Sequence, residues 1–139
     1  MAPGELVREA LAAFGRRDVE RLAELMDPAV EIDLTGRVLN PATYSGLEGV
    51  ERLLREIAEL WESIEMLPER LLERSDEVLV VVRTRMRGRG SGVELDAHVA
   101  QHWKTRDGRI VHVRLHRDVE GTLAEWERVA RAATADSSS

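Results

Sequence analysis

The chain has 139 residues, 43% hydrophobic and 33% charged, with a formal charge of -6 and no cysteine. One domain of this length buries roughly two thirds of the surface its unfolded form would expose, so a core needs no staples, and disulfides and thiolate metal sites are excluded. The negative balance argues against general nucleic-acid binding, no stretch approaches membrane-spanning length, and "MAPGELVREALAAFG" is charged where a signal peptide needs an apolar run. The expectation is a cytoplasmic protein with no nucleic-acid or membrane partner.

In chain order, Val7, Ala10, Leu11 and Phe14 recur at helical spacing and Gly15 is expected to close that run. Asp18 reads as the N-cap of a second helix carrying Leu22, Leu25 and Met26, stopped by Asp27 and Pro28. In "AVEIDL", Val30, Ile32 and Leu34 share one face of a strand and Glu31 and Asp33 the other. "TGRVLNPATY" is loop. Ser45 and Glu48 form a capping-box pattern before a helix carrying Leu47, Val50, Leu54, Ile57, Trp61 and Ile64. Strand-like runs follow near 66–73, 78–87, 93–105 and 109–117. A last helix starts at the cap Asp118 and buries Leu123, Trp126 and Ala130. The reading is a single domain over 1–133 with a disordered tail, 134–139. Helices gathered on one side of an antiparallel sheet make the class α+β.

All four histidines fall in "HVAQHWKTRDGRIVHVRLH", residues 98–116, across a hairpin whose loop length decides which side chains share a face. A two-residue loop mixes polar and apolar side chains on both faces. A three-residue loop with Gly108 in a G1 bulge pairs Thr105 with Arg109 and puts Val99, Gln101, Trp103, Val111, Val113 and Leu115 on one face. His98 then lies opposite His116, His102 opposite His112, and Ala100 faces Arg114. Leaving a large apolar side chain in water forfeits about 1.5–3 kcal/mol, which favours the three-residue loop and turns the histidines away from the interior. A flat sheet face offers a row of imidazoles, whereas zinc wants a convergent tetrahedral set; no metal is expected. A subunit contact or a solvated outer face is the better use of His98, His102, His112, Arg114 and His116.

Arg83, Arg85, Arg87 and Arg89 alternate along one strand, a spacing that by itself could track phosphates. Matching apolar faces sets Arg85 across from Asp96 and Arg87 across from Glu94, so a charge-paired outer face is expected instead. One Phe and one Tyr leave little base-stacking surface.

The segments "RDVERLAELMDPAVEID", "YSGLEGVERLLREIAELW" and "HWKTRDGRIVHVRLHRD" together resemble the SnoaL-like branch of the nuclear transport factor two superfamily, over nearly the whole chain. The resemblance implies a cone-shaped α+β barrel, with a bent sheet wrapped around the long helix, a pocket between them, and a homodimer through the outer sheet face. The superfamily includes ketosteroid isomerases, polyketide cyclases and epoxide hydrolases. Carried over residue by residue, the isomerase tyrosine falls at Ala10, the general base at Ile32 with Asp33 one step away on the opposite face, and the oxyanion-binding acid at Gln101. A base and oxyanion donors are both required for proton abstraction beside a carbonyl, and one half is missing. The final acid of the epoxide hydrolase pattern falls at Leu115, which argues against that chemistry.

Pocket-lining residues expected on these grounds are Ile32, Tyr44, Trp61, Val99, Gln101, Trp103, Val113, Leu115 and Arg117. Gln101 could bind a ligand or satisfy a strand carbonyl, and Tyr44 could reach the pocket mouth or pack its entrance. Trp61 and Trp103 could wall a ligand or be plain core, and Arg117 could anchor an anionic group. The leading expectation is a homodimeric binder of a small hydrophobic molecule, with no cofactor and no assignable reaction. The alternatives are a cofactor-independent isomerase, cyclase or hydratase in which Asp33, Tyr44 and Gln101 share the work, and a structural dimerisation module with a closed interior.

Overall fold

The computed structural model describes residues 1–37 and 40–137, the side chains of 133–137 excepted. Helix α1 (Pro3–Arg16) begins with proline in its first turn, where a missing N–H costs nothing. Gly15 lies inside this helix. The stop comes at Arg17, left-handed at φ 58, whose N–H reaches Ala13 O and Phe14 O. The Asp18 side chain accepts from Arg21 N and caps α2 (Val19–Leu25) as expected. Strand β1 (Met26–Asp33) starts earlier than the sequence reading, with Met26 extended and fully buried.

The loop "TGRVLNPATY" ends in a short strand, β2 (Thr43–Ser45), paired antiparallel to β1 through Ile32 and Tyr44; Val38 and Leu39 within it lie outside the described residues. Helix α3 (Gly46–Leu60) lacks the expected serine cap bond, because Ser45 Oγ donates to Glu31 Oε2 at 2.9 Å across the strand pair. It also ends sooner than its apolar spacing suggested. Trp61 and Ile64, which continue a helical stripe on paper, already belong to β3 (Trp61–Arg74). There they satisfy strand pairing with β4 (Glu77–Gly88), Trp61 opposite Gly88 and Ile64 opposite Met86.

Strands β5 (Glu94–Arg106) and β6 (Arg109–His116) complete a sheet of order β2-β1-β6-β5-β4-β3. The β1–β6 pair is parallel, so the sheet is mixed rather than wholly antiparallel. It is bent and unclosed, and with the helices forms the cone-shaped α+β barrel. Its inner face carries Val78, Val80, Val82, Trp103, Ile32 and Val113 into one core cluster with Leu6, Val7, Ala10 and Leu11 of α1 and Val50, Leu53 and Leu54 of α3. Each such large side chain contributes about 1.5–3 kcal/mol by leaving water.

The β5–β6 hairpin corrects the expected register. Its loop has two residues, Asp107 and Gly108, both at positive φ (53 and 75), the requirement of a type I′ turn. Arg106 therefore pairs with Arg109 and Thr105 with Ile110. A bulge then inserts one residue, so that Lys104 faces His112, Trp103 Val113, His102 Arg114, Gln101 Leu115 and Ala100 His116. The bulge restores the sorting of faces that the short loop alone would have spoiled. It also exchanges two residues: Ile110 is fully buried, while Val111, expected inside, is half-buried.

The last helix, α4 (Val119–Ser137), is capped by Asp118, whose Oδ1 accepts from Gly121 N at 3.0 Å. It lies across the outer sheet face. The Trp126 ring meets His102 edge-on at 5.9 Å and stacks under the Arg74 guanidinium at 4.0 Å, while Arg74 Nη1 donates to Trp126 O at 3.1 Å. Leu79 and Ala100, outward-facing neighbours of His102 in the sheet, are accordingly buried. Among the described residues no helix is long and apolar enough to cross a membrane.

Candidate ligand-binding site

The inner sheet face holds Gln101 between Val80 of β4 and Leu115 of β6. This amide is 8% exposed. Its Oε1 accepts from the indole Nε1 of Trp103 at 3.1 Å, two residues along the same strand, where side chains share a face. Past Gln101, away from the hairpin turn, the same face continues through Val99, Ala97 and Leu95 of β5, Thr84 and Met86 of β4, and Met66 and Ile64 of β3. Unlike Val78, Val80 and Trp103, these side chains are half-buried or exposed. The apolar inner face thus runs from a packed core into a strip that the helices leave partly open.

The expected pocket residues divide accordingly. Ile32, Tyr44, Trp103 and Val113 are buried, Trp61, Val99 and Leu115 half-buried, and Arg117 exposed. The three acid–base candidates are not gathered. Gln101 is on the inner face with Trp103. Asp33 faces outward, as its strand parity required, held by Thr35 N at 2.9 Å and Thr35 Oγ1 at 2.5 Å with Arg114 Nε at 3.5 Å. Those Thr35 hydrogen bonds, aided by Arg114, hold its carboxyl below the usual range.

Tyr44 is the centre of a second cluster. Its hydroxyl donates to Glu56 Oε2 of α3 and accepts from Arg37 Nη2 at 3.1 Å, and the Arg52 guanidinium lies 4.6 Å from the ring centroid. Arg37 also donates to Asn40 O at 2.6 Å, tying the loop before β2 to α3 through the tyrosine. Beside this cluster opens a depression of about 440 Å³, lined in part by Asn40, Pro41, Arg52, Glu59 and Leu60. The sequence reading missed Arg37, Arg52 and Glu56. The i,i+4 spacing of Arg52 and Glu56 marks a shared helix face, but nothing local in the sequence points that face at Tyr44.

On the outer face, His98 Nε2 lies 2.6 Å from Glu69 Oε1 and His102 Nε2 2.9 Å from Glu77 Oε1. The latter contact is close but poorly aligned for a hydrogen bond, as His102 Nε2 is a buried atom without a formal partner. The expected His98–His116 and His102–His112 pairs do not form, since the two-residue loop and the bulge each move β6 along by one position, two in all. Burial lowers the His102 pKa, opposed by Glu77, and burial with Arg114 lowers that of His116. Among the described residues no three His, Asp or Glu converge as metal ligands. The register of Arg85 with Asp96 and of Arg87 with Glu94 is as expected. The ion pairs themselves run diagonally: Arg83 to Asp96 at 2.6 Å, Arg85 to Glu65 at 3.8 Å and Arg87 to Glu62 at 3.5 Å.

The SnoaL-like domain family matches residues 7–113. None of the curated proteins matches the chain. Among solved structures, an NTF2-like protein of unknown function from Burkholderia pseudomallei is 21% identical, with a TM-score of 0.73 over 89% of this chain and 97% of the other. A putative SnoaL-like polyketide cyclase from Jannaschia sp. CCS1 is 18% identical, with a TM-score of 0.71 over 87% and 88%. TerC co-crystallised with polyporic acid is 23% identical, with a TM-score of 0.72 over 91% and 97%. At these identities the likeness is one of fold.

Proposed function

Because the chain belongs to the SnoaL-like domain family, we propose that it is a small-molecule-binding protein that takes a hydrophobic ligand on the inner face of its sheet. One observation carries this reading: the apolar inner face does not end with the packed core but continues into the half-buried strip of Ile64, Met66, Met86 and Val99. Apolar side chains left half in water gain about 25 cal/mol for each Å² a ligand covers, and pockets for small molecules combine such a surface with few polar groups. Gln101 is the polar group here. That TerC is a structural neighbour holding polyporic acid is consistent with an aromatic ligand.

The test is a thermal-shift screen against steroids, aromatic polyketides and small terpenoids. A ligand that binds only the native state at a hundred times its Kd adds about 2.7 kcal/mol, and Met86→Lys, which places a charge in the strip, is expected to remove the shift. No stabilisation by any class, or a shift that survives Met86→Lys, would contradict the reading.

A second reading is a cofactor-independent isomerase, cyclase or hydratase working by general acid–base chemistry. It is favoured by the Tyr44–Glu56 hydrogen bond, which joins a phenol to a carboxylate beside an open depression. Pairing of two copies through the outer face belongs to the same proposal, limited to the strip around His98, Arg83 and Asp96, which remains exposed or half-buried beyond the position of Trp126.

A further inference from the structure

Helix α4 is held to the sheet along one side and, near its middle, by one aromatic ring. Val119, Thr122, Leu123, Trp126 and Ala130 are half-buried at helical spacing, and no residue of 119–132 is fully buried. The strand residues beneath are sealed: Leu79 is 1% and Ala100 0% exposed, with Val81, the partner of Ala100, at 8%. The helix lies beyond residue 113, where the family match ends, and pairs with no strand, so lifting it breaks no ladder. Its N-cap is self-contained, with Asp118 Oδ1 accepting from Gly121 N and Thr122 Oγ1 donating to Asp118 O at 2.6 Å. Exposed Arg117 joins that cap to β6.

The anchor is a closed circuit of four side chains from four elements. Trp126 meets His102 of β5 edge-on at 5.9 Å, and His102 Nε2 lies 2.9 Å from Glu77 Oε1 of β4. Glu77 lies 3.9 Å from Arg74 of β3, whose guanidinium returns to the Trp126 ring at 4.0 Å. Charge balances in this circuit only while His102 is neutral. Glu77 is the one carboxylate at the imidazole among the described residues. Against it stand Lys104 on β5, Arg114 and His116 on β6, and Arg74 beyond the tryptophan, while Asp33 of β1 is engaged by Arg114. On α4 the flanking Glu125 and Glu127 are taken up by Arg128 at 2.5 Å and Arg70 at 3.9 Å. His102 Nε2 is a buried atom, so a proton added to the docked ring there goes unhydrated beneath Trp126.

We propose that α4 is a pH-sensitive strap: neutral His102 lets Trp126 hold the helix across the sheet, and protonated His102 lifts it about Arg117, uncovering Leu79, Val81 and Ala100. Ala100 and Val81 are two residues along from His98 and Arg83, so the strap sets how much of the outer face is open. The inference goes beyond the small-molecule reading and needs neither a ligand nor pairing. Burial first, with Lys104 and His116, holds the docked imidazole pKa down against Glu77, and lifting returns the ring to water. Docking is therefore full above the ordinary value of 6.5 and is lost as pH falls from there through the lower docked value. One proton limits the change to about tenfold per pH unit. The rival has the opposite sign, an imidazolium that pairs with Glu77 and tightens the strap.

Hydrogen exchange of the full chain, read by mass spectrometry as protection relative to the intrinsic rate at each pH, decides between them. From pH 7.5 to 5.5 the amides of 119–132 are expected to lose about 3- to 10-fold in protection. Those of β4 and β5 keep theirs, because their ladder stays paired. His102→Gln, neutral at both pH values, is expected to remove the pH dependence, and His98→Gln, on the exposed strip, to keep it. Trp126→Ala is expected to leave 119–132 weakly protected at both. If His102→Gln fails to fold, Glu77→Gln decides. Loss of the counter-charge moves the midpoint of the change to lower pH, whereas a merely structural contact lowers protection at every pH and leaves the midpoint in place. Equal protection of the wild-type helix at both pH values, better protection in acid, or a loss shared by β4 and β5 overturns the inference. So does a loss that survives His102→Gln or vanishes in His98→Gln, full protection in Trp126→Ala, or an unmoved midpoint in Glu77→Gln.

Discussion

Replacing Tyr44 by Phe isolates the contribution of a single hydroxyl that joins three elements. The tyrosine is 1% exposed, its O–H donates to Glu56 on α3, and it receives a hydrogen bond from Arg37 in the loop after β1. Phe keeps the ring against Ile32 and beside the Arg52 guanidinium, so no cavity opens and only the two bonds are lost. Hydrogen bonds to charged partners are worth about 1.5–3 kcal/mol each. The Glu56 side chain is 44% exposed, however, so water can replace its lost donor. The expected cost is therefore about 1–2 kcal/mol in total, or roughly 3–8 °C in Tm for a domain of this size. Urea denaturation at pH 7 is the assay, with the midpoint falling at unchanged slope. Glu56→Gln should cost less, and a double-mutant cycle should show coupling of about 0.5–1.5 kcal/mol. A Tyr44→Phe variant as stable as wild type, or a coupling near zero, would refute the idea that this hydroxyl pins the loop to α3.

Further expectations follow from individual contacts. Gly4 N donates to Glu73 Oε1 at 2.6 Å, so β3 supplies the N-terminal anchor that α1 lacks from its own cap residue; Glu73→Ala should lower stability by about 1 kcal/mol, measured by urea melts. A Cβ on Gly36 would stand 2.5 Å from Leu115 O, so Gly36→Ala should force the loop off β6 and lower Tm by several degrees, and an unchanged Tm would deny that close approach. Burial lowers the folded-state pKa of His102, so its contribution is full above the unfolded value near 6.5 and is lost as pH falls from there through the lower folded value. Wild type should therefore lose Tm between pH 7.5 and 5.5 more than His102→Gln does, and equal losses would contradict the assignment. Asp33, held low first by Thr35, adds a second loss that begins only near its unfolded value of about 3.8.

Periodicity and capping made α1, α2, the strand sequence and α4 legible because each depends on neighbours in the chain. Where α3 stops was not, since Trp61 and Ile64 fit a helical stripe and an alternating strand equally well, and pairing with Gly88 and Met86 decides. The hairpin posed a choice between a short loop and sorted faces, and the chain has both, by placing a bulge after a two-residue Asp107–Gly108 turn. Matching of apolar faces fixes only the parity of the pairing, so it identified the inner position of Gln101, Trp103 and Val113 while misplacing Val111 and the histidine partners. The site was legible to the same degree. The inner position of Gln101 and the outward parity of Asp33 follow from alternation, but the bonds of Tyr44 to Glu56 and Arg37 join groups 12 and 7 residues apart through the packing of α3 on β2. No local pattern encodes that packing.

A nitrogen-15 NMR titration with 1-tetralone tests the binding claim most directly, because it locates contact residue by residue without requiring a reaction. The account predicts shifts at the Gln101 side-chain NH2 and at the inner-face positions Thr84, Met86, Leu95, Ala97, Val99 and Leu115, with the outer-face imidazole nitrogens of His98 and His112 unmoved. Shifts confined to the outer face, or none at saturating ligand, would contradict it.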